Sequence, residues 1–395
     1  MRKVLKGVVI AVLAACLLGL AFAGGVAAGR GSQTIKVPGV SSASATPERA
    51  ASEVQSIIER EALVPSDEES MTAGVVKGML DSLGDPYAFY FDPEHYRYFN
   101  EQNEGRFYGI GITISDRDGK PYVVSVIPGT PAEKAGLKPD DVIVSIDGVT
   151  RDKWDLDDVV RRIRGEEGTT VKVGVLRNGS KKPLQFTIVR AKIDVPNIET
   201  ELVDGDVGYI RLYSFNDPAA RDVREAVQDL ASRGARGFVL DLRDNPGGLL
   251  SSSVDVLSLF VKDGVAVSVQ ARAKDLSETY RVSGDTVTDE PLVVLINENS
   301  ASASEIVAGA LQDYERATLV GVTSFGKGSV QQIEELSFGG ALKLTIARYV
   351  TPKGRIIDKK GVVPDITVKM DAEKQTDKKT DAQYQRAVQE LKKLL

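Results

Sequence analysis

The hydrophobic pattern of this 395-residue chain changes twice along its length, and these changes restrict the fold more than any single motif does. Up to about Asn103, apolar residues recur every three or four positions, which is the spacing of amphipathic helices. From Gly105 to about Arg190 they form short β-branched runs between glycines, and strands then alternate with helical stretches as far as Val368. The chain is therefore predicted to be a multidomain α/β protein.

The first region contains two helical patterns. Val54, Ile57 and Ile58 carry one of them, and the other runs from Val75 to Leu83. Neither pattern lasts three heptads, so a coiled coil is disfavoured. We expect their apolar faces to pack on the body of the protein or on a second subunit.

The second region predicts a small, partly open β-barrel. Its strands are expected at Ile110 to Ile114, Tyr122 to Ile127, Val142 to Ile146, Val171 to Leu176 and Leu184 to Val189, with helices at Ala132 to Ala135 and Asp155 to Arg164.

The third region predicts an α/β domain followed by a charged segment and a last helix. Its strands are expected at Gly208 to Phe215, Phe238 to Leu242, Leu292 to Ile296, Ala317 to Gly321 and Ala341 to Tyr349, and its helices at Pro218 to Ser232, Ser251 to Phe260 and Ser304 to Tyr314. Tyr384, Ala387, Val388, Leu391 and Leu395 share one face of the last helix, which we interpret as a packing face.

The N-terminus has the pattern of a membrane-targeting segment. Arg2, Lys3 and Lys6 precede residues 7–29, which carry no charge and would extend about 34 Å as a helix. Because basic residues stay on the cytoplasmic side, we expect the body of the protein to lie outside the cytoplasm. We favour an uncleaved single-pass anchor over a signal peptide cleaved near residues 21–23 or 26–28, or a lipoprotein box at residues 13–16.

The scarcest residues exclude several kinds of chemistry. Cys16 is the single cysteine and lies in the N-terminal apolar run, so the folded body has neither a disulfide nor a thiol nucleophile. His95 is the single histidine, which excludes a zinc site built from several imidazoles. We interpret His95 as a surface or packing residue. The formal net charge of −6 gives no sign of nucleic-acid binding.

A first candidate site opens the small barrel. Gly109, Ile110, Gly111 and Ile112 form a glycine loop whose backbone amides can hold a carboxylate, while the following strand edge pairs with the peptide behind it. This stretch resembles the carboxylate-binding loop of PDZ domains. Asp140 stands where that family usually has glycine, and Asp tolerates the left-handed backbone such a turn needs.

A second candidate site combines three segments of the α/β region, at residues 299–305, 242–248 and 325–328. The first is a serine run at a helix start, and sequence alone leaves Ser300, Ser302 and Ser304 as alternatives. A hydroxyl nucleophile needs a base, and with one histidine in the chain Lys327, between two glycines, is the remaining candidate. Its pKa would have to fall by about 3 units to act near neutrality, which burial can supply.

An oxyanion can be held by backbone amides of the second segment. Gly247 and Gly248 present unobstructed amides, and the amide of Ala303 at the helix start is a second donor.

Together these segments resemble the carboxy-terminal processing, or tail-specific, serine peptidases. The resemblance implies a PDZ domain ahead of a crotonase-like, ClpP-like spiral of strands and helices. It also implies Ser302 as the nucleophile, Lys327 as the base and Gln331 as the residue that orients the lysine. Asp244 and Asn299 depart from the family pattern, which leaves the local hydrogen bonding undetermined.

The predicted function is a membrane-anchored, extracytoplasmic serine endopeptidase without metal or organic cofactor. Its expected substrates are proteins whose free, apolar C-termini bind the PDZ domain, and Arg164 is a candidate for coupling that domain to the catalytic site. A homodimer is a further expectation. The rival interpretations are a catalytically silent PDZ scaffold and an acyl-CoA-type crotonase relative. The predicted boundaries are an anchor at 1–30, a linker at 31–46, a helical region at 47–104, a PDZ domain at 105–192, a peptidase core at 193–369 and a charged linker with a C-terminal helix at 370–395.

Overall fold

A computed structural model describes residues 45–395 except 118, 178–179, 181, 196, 273–276 and 371–376. The described residues divide into two compact units, with the boundary between residues 71 and 72. Within the described residues, none of the helices has the length and apolar character needed to cross a membrane. The predicted anchor and its three processing alternatives fall on residues outside the described part of the chain.

The two predicted N-terminal helices are confirmed as α1 (Pro47–Glu61) and α2 (Glu68–Asp81). Thr46 caps α1 by accepting a hydrogen bond from the amide of Arg49 at 3.4 Å. No residue of α1 is buried.

A short strand and a helix that the hydrophobic pattern did not reveal follow α2. They are β1 (Phe89–Phe91) and α3 (Pro93–Asn103). Asp92 caps α3, and its carboxylate also lies 2.5 Å from Nδ1 of His95. The His95 side chain is 46% exposed, so its interpretation as a surface residue is confirmed.

The small β domain has its predicted strands and both predicted helices. Strand β2 (Arg106–Gly109) pairs with β9 (Ala191–Asp194) where the chain enters and leaves this domain. The main sheet has the order β3-β4-β5-β7-β8, with β6 beside β5. Its elements are β3 (Ile112–Arg117), β4 (Lys120–Val126), α4 (Pro131–Ala135), β5 (Val142–Ile146), β6 (Val149–Thr150), α5 (Leu156–Ile163), β7 (Thr170–Leu176) and β8 (Leu184–Val189).

A largely parallel sheet forms the centre of the α/β region. Its members are β10 (Ile198–Val203), β11 (Val207–Leu212), β12 (Gly237–Asp241), β15 (Leu292–Ile296), β16 (Thr318–Gly321) and β19 (Ile366–Thr367), and they are adjacent in that order. Strands β12 and β15 are buried along their whole length, as expected of strands covered on both faces. Helices α6 (Ala219–Ser232), α7 (Leu250–Ser258) and α8 (Ala303–Asp313) share one core with this sheet.

An antiparallel sheet, absent from the predicted α/β alternation except for β18, packs beside α8. It contains β1, β13 (Val265–Ala271), β14 (Glu278–Arg281), β17 (Ser329–Glu335) and β18 (Ala341–Val350). The β17–β18 register shifts between Val330 and Gln331, which is a bulge of the kind that redirects side chains.

The last helix, α9 (Ala382–Lys392), covers the other face of the parallel sheet. Its buried side chains include Tyr384, Ala387, Val388 and Leu391. The predicted packing role of this helix is confirmed.

Candidate active site

The three serines of the helix-start segment have different surroundings. Ser300 and Ser304 retain no exposed surface, and their hydroxyls donate to the carbonyls of Leu242 and Asn245 at 2.8 and 2.9 Å. Ser302 retains 9% of its surface, and its hydroxyl interacts with the phenol of Tyr349. Both flanking hydroxyls therefore hold backbone together, which the sequence could not show.

Ser302 adopts a backbone conformation that is unusual for a residue with a side chain. Its φ of 54° lies in the region that favours glycine, and it forms the N-cap of α8. Non-glycine residues in this region are often found at active sites, where the surrounding structure imposes the strain. The backbone amide of Ser302 donates to Glu305 at 2.9 Å, which fixes the turn.

Glu305 connects the serine segment to the lysine segment. Its fully buried carboxylate accepts hydrogen bonds from the amides of Ser302, Gly326 and Lys327 and from the hydroxyl of Ser324, at 2.5 to 2.9 Å. Burial raises the pKa of Glu305, and these four donors oppose that rise. The spacing of Ser302 and Glu305 is that of a capping box, which is the sequence signal that could have identified this residue.

The Lys327 side chain is half-buried and faces an aromatic ring. Its Nζ is 5.2 Å from the ring centre of Tyr87. Burial lowers the pKa of Lys327, the positive charge of Lys343 lowers it further, and Glu305 acts in the opposite direction. The direction is the one that a general base near neutrality needs.

The three predicted catalytic side chains, those of Ser302, Lys327 and Gln331, are not in contact with one another. Within the described part of the chain, no hydrogen bond joins the Ser302 hydroxyl to Lys327. Gln331 donates instead to the Ser329 hydroxyl at 2.8 Å and to the Thr345 hydroxyl at 3.4 Å. Burial raises the pKa of Tyr349, which faces Ser302, to about 12, so this phenol stays protonated at neutral pH.

The glycine turn lies directly against the start of α8. A Cβ added to Gly247 would be 2.7 Å from the Ala301 carbonyl and 3.0 Å from the amide nitrogen of Ala303. The Gly247 amide donates to the Asn245 side chain at 2.9 Å. The amides of Gly248 and Ala303 donate to no acceptor among the described residues, so these two amides are free to bind an oxyanion.

The two positions that depart from the family pattern contact each other. The side-chain amide of Asn299 donates to the Asp244 carboxylate at 2.9 Å, and that of Asn297 donates to the same oxygen at 2.8 Å. Asp244 has a left-handed φ of 59°. The local hydrogen bonding that the sequence left undetermined is thus a direct link between the glycine turn and the serine segment.

A buried charge network lies beneath the glycine turn. Arg243, 2% exposed, donates to Asp241 through Nε and Nη2, and its Nη1 lies 2.8 Å from the carboxylate of Asp381. Tyr209 also donates to Asp241, at 2.8 Å. This network could not be predicted from the sequence, because nothing in a linear pattern pairs residue 243 with residue 381.

The predicted carboxylate loop lines a cavity of about 260 Å³. The carbonyls of Ile110 and Gly111 accept from the amides of Ala132 and Ile127, at 2.8 and 3.0 Å. The amides of Ile110 and Gly111 donate to no acceptor in the described structure. The rest of the lining is mostly apolar and consists of Phe107, Gly109, Ile112, Thr113, Ile114, Val160, Ile163 and Arg164.

Arg164 joins this groove to α3. Its Nη1 lies 3.2 Å from the carboxylate of Glu101, and its guanidinium lies over the rings of Tyr98 and Phe107 at 4.5 and 5.1 Å. Burial lowers the pKa of Arg164, and Glu101 opposes that effect.

Comparison with known proteins identifies both domains. The profile of peptidase family S41 matches residues 206–368, and that of the PDZ domain matches residues 122–177. A solved structure from Bacteroides fragilis, described as an S41 protease, aligns with a TM-score of 0.52 at 18% identity, covering 87% of this chain and 97% of that one. That likeness shows a common fold.

Two relatives are similar over most of the chain. The carboxy-terminal processing protease CtpA of Bacillus subtilis is 36% identical over 305 residues, which are 77% of this chain and 65%, just under two thirds, of the relative. The carboxyl-terminal-processing protease of Synechocystis sp. is 40% identical over 307 residues, covering 76% of this chain and 71% of the relative. This chain therefore belongs to the carboxy-terminal processing proteases of serine peptidase family S41.

Proposed function

We propose that this protein is a serine endopeptidase in which Ser302 is the nucleophile and Lys327 is its general base. One observation carries the proposal above the others. Of the three serines, Ser302 alone has a hydroxyl that is not bound to a backbone carbonyl, and its Cβ lies against Gly247 of the glycine turn, 2.9 Å from where a Cβ on that glycine would be.

In the proposed mechanism, neutral Lys327 takes the hydroxyl proton as Ser302 attacks the scissile carbonyl. The amides of Gly248 and Ala303 stabilise the resulting oxyanion, while the Gly247 amide holds the turn through Asn245. Lys327 then gives its proton to the leaving amine, and a water molecule hydrolyses the acyl-enzyme by the same route.

This mechanism requires a rearrangement of the described state. The amine of Lys327, now 5.2 Å from the ring centre of Tyr87, must come within hydrogen-bond distance of the Ser302 hydroxyl. For Gln331 to orient Lys327, its amide must exchange Ser329 and Thr345 for the lysine. The bulge at the start of β17 is the place where such a change requires the least disruption of strand pairing.

The dyad can be tested with an unfolded test protein and a fluorophosphonate probe, which labels only activated serines. We expect cleavage and labelling by the wild type, and neither by Ser302→Ala or Lys327→Ala. Lys360→Ala, at an exposed lysine of the neighbouring segment, is the matched control and should retain both. A wild type that binds tails but neither cleaves nor labels would instead support the silent PDZ scaffold.

We further propose that the groove beside Gly111 captures the free C-terminus of the substrate. The free amides of Ile110 and Gly111 can bind the carboxylate, and the apolar lining favours apolar tail residues. Peptides that differ only in a C-terminal amide or free acid provide the test. We expect slower cleavage of the amide, and equal turnover would remove tail recognition from the proposal.

Arg164 is proposed to couple this groove to the catalytic site. A bound carboxylate would compete with Glu101 for the guanidinium and so loosen the link to α3. We expect Arg164→Gln to abolish stimulation by a tail peptide added in trans. Stimulation of the variant equal to that of the wild type would contradict this coupling.

The cellular placement is proposed from the sequence. We propose that residues 7–29 anchor the chain in a membrane, with the peptidase body outside the cytoplasm. Retention in the membrane after an alkaline carbonate wash, with protease accessibility only from the outer face, would support this placement. Release by the wash would contradict it.

A homodimer through α1 is also proposed. Val54 and Ile57 of this helix are 54% and 43% exposed, although both lie on its apolar face. Sedimentation of the wild type and of a Val54→Asp, Ile57→Asp variant would test it. A monomeric wild type would contradict the proposal.

A further inference from the structure

Lys343 is a partly buried lysine that the proposed mechanism does not use. It lies on β18 opposite Phe89 of β1. Its Nζ is 5.9 Å from the ring centre of Phe89 and 5.4 Å from that of Phe91. Aromatic faces at these distances attract a cation, so the rings favour the charged form of Lys343.

One short segment of the chain contacts both lysines. Tyr87 lies against Lys327, and Phe89 and Phe91 lie against Lys343. The Tyr87 amide donates to the Asp85 carboxylate at 2.9 Å, which fixes the start of this segment. The segment therefore holds two amines in the same region of the site.

The carboxylates near the two lysines are not equivalent. Glu305, the acid beside Lys327, already accepts four hydrogen bonds from other groups. Burial lowers the pKa of Lys343, and the carboxylate of Asp85 opposes that effect. Lys343 therefore has two rings and Asp85 favouring its charged form, whereas Lys327 has one ring and a carboxylate whose oxygens are already occupied by four donors.

The other charged groups on the elements packed around this region are paired with other side chains or exposed. Glu335 accepts from Tyr96, and Arg348 pairs with Asp358. At the start of α3, which packs on β1, Asp92 pairs with His95, while Glu334, Lys359 and Lys360 are exposed.

We infer that Lys343 is a positioning residue for the proposed peptidase, and that its positive charge keeps Lys327 in the neutral form that can accept a proton from Ser302. The inference rests on the proposed role of Lys327. Burial lowers the pKa of the Lys327 amine, and the like charge of Lys343 lowers it further, which agrees with this role.

The test is the pH dependence of fluorophosphonate labelling of Ser302, measured on the full chain. Removing the charge in Lys343→Gln should move the acid limb of the labelling rate to higher pH, by on the order of one pH unit. Lys343→Arg retains the charge and should keep the wild-type limb. A purely structural role would lower the rate by the same factor at every pH.

Unchanged limbs in the glutamine variant, or equal shifts in the glutamine and arginine variants, would overturn the inference. Lys343→Met, which keeps the aliphatic stem on Phe89 and Phe91, provides the same test should Lys343→Gln fail to fold. Lys327→Ala separates the two proposals: if it is labelled like the wild type, the dyad itself is wrong, whatever Lys343 does.

Discussion

The buried pair between Arg243 and Asp381 yields a prediction whose magnitude follows from the structure. Both residues are almost fully buried, at 2% and 1% exposure, and Nη1 of Arg243 lies 2.8 Å from the nearer carboxylate oxygen. The same carboxylate accepts from the amide of Tyr384 at 2.8 Å and so caps α9. The perturbation is Asp381→Ala, which removes both interactions.

Removing one partner of a buried ion pair typically destabilises a protein by about 3–5 kcal/mol. Loss of a helix cap adds about 1 kcal/mol. The two losses sum to about 4–6 kcal/mol, but Asp241 remains bonded to Arg243 and neutralises its charge, so we expect a smaller total of about 3–5 kcal/mol. This is a large share of the usual 5–15 kcal/mol of folding stability. Asp381→Asn keeps the cap and the size, and should be less damaging.

The assay is denaturant unfolding followed by circular dichroism and by tryptophan fluorescence. Trp154 is the single tryptophan and is buried in the PDZ domain, so its fluorescence reports on that domain while circular dichroism reports on the whole chain. Asp289→Ala is the matched control, because Asp289 pairs with Lys262 at the same 2.8 Å but at an exposed site. Wild-type stability of Asp381→Ala, or equal effects of the two variants, would refute the reasoning.

Three further predictions concern the catalytic site. Glu305→Gln leaves one acceptor oxygen for four donors, so the free energy of unfolding should fall by about 2–6 kcal/mol. Labelling of Ser302 should fall as well, because Glu305 connects the serine segment to the lysine segment. An unchanged labelling rate would argue against that connection. Gly247→Ala would place a Cβ 2.7 Å from a carbonyl at a φ of 102°, and should lower kcat by about 10²-fold. Gly205→Ala is the control, because φ at Gly205 is also left-handed but the space around it is open. Similar kcat values for the two variants would contradict this prediction. Burial lowers the pKa of Lys327, so its neutral form appears below the ordinary pKa of 10.5. We therefore expect kcat to rise with pH along a limb whose midpoint lies below 10.5. A midpoint at 10.5 would contradict Lys327 as the general base.

Local sequence patterns predicted much of the architecture. Strands such as β5 and β15 and helices such as α6 and α8 lie where their β-branched content and apolar spacing place them. Strand β1 was missed because its three residues are too few for a period and because it is stabilised by pairing with β18. The membrane anchor remains a prediction, since its residues lie outside the described range.

The candidate site, too, was predictable from the sequence only in part. The motifs identified the three segments, the glycine turn and the lysine, because the residue types that this chemistry needs are neighbours in the sequence. They left three serines open, and only the hydrogen bonds from Ser300 and Ser304 to distant carbonyls distinguish these two from Ser302.

What the sequence determined by itself is the succession of elements and the inventory of reactive groups, since periodicity and composition act over a few residues. Tertiary structure alone decided which groups meet: Glu305 with the lysine segment, Tyr87 with Lys327, and Arg243 with Asp381. Burial supplies the physical reason. The charge state of Lys327 and the strength of each ion pair depend on how far folding excludes water from them, and neighbours distant in sequence set that exclusion.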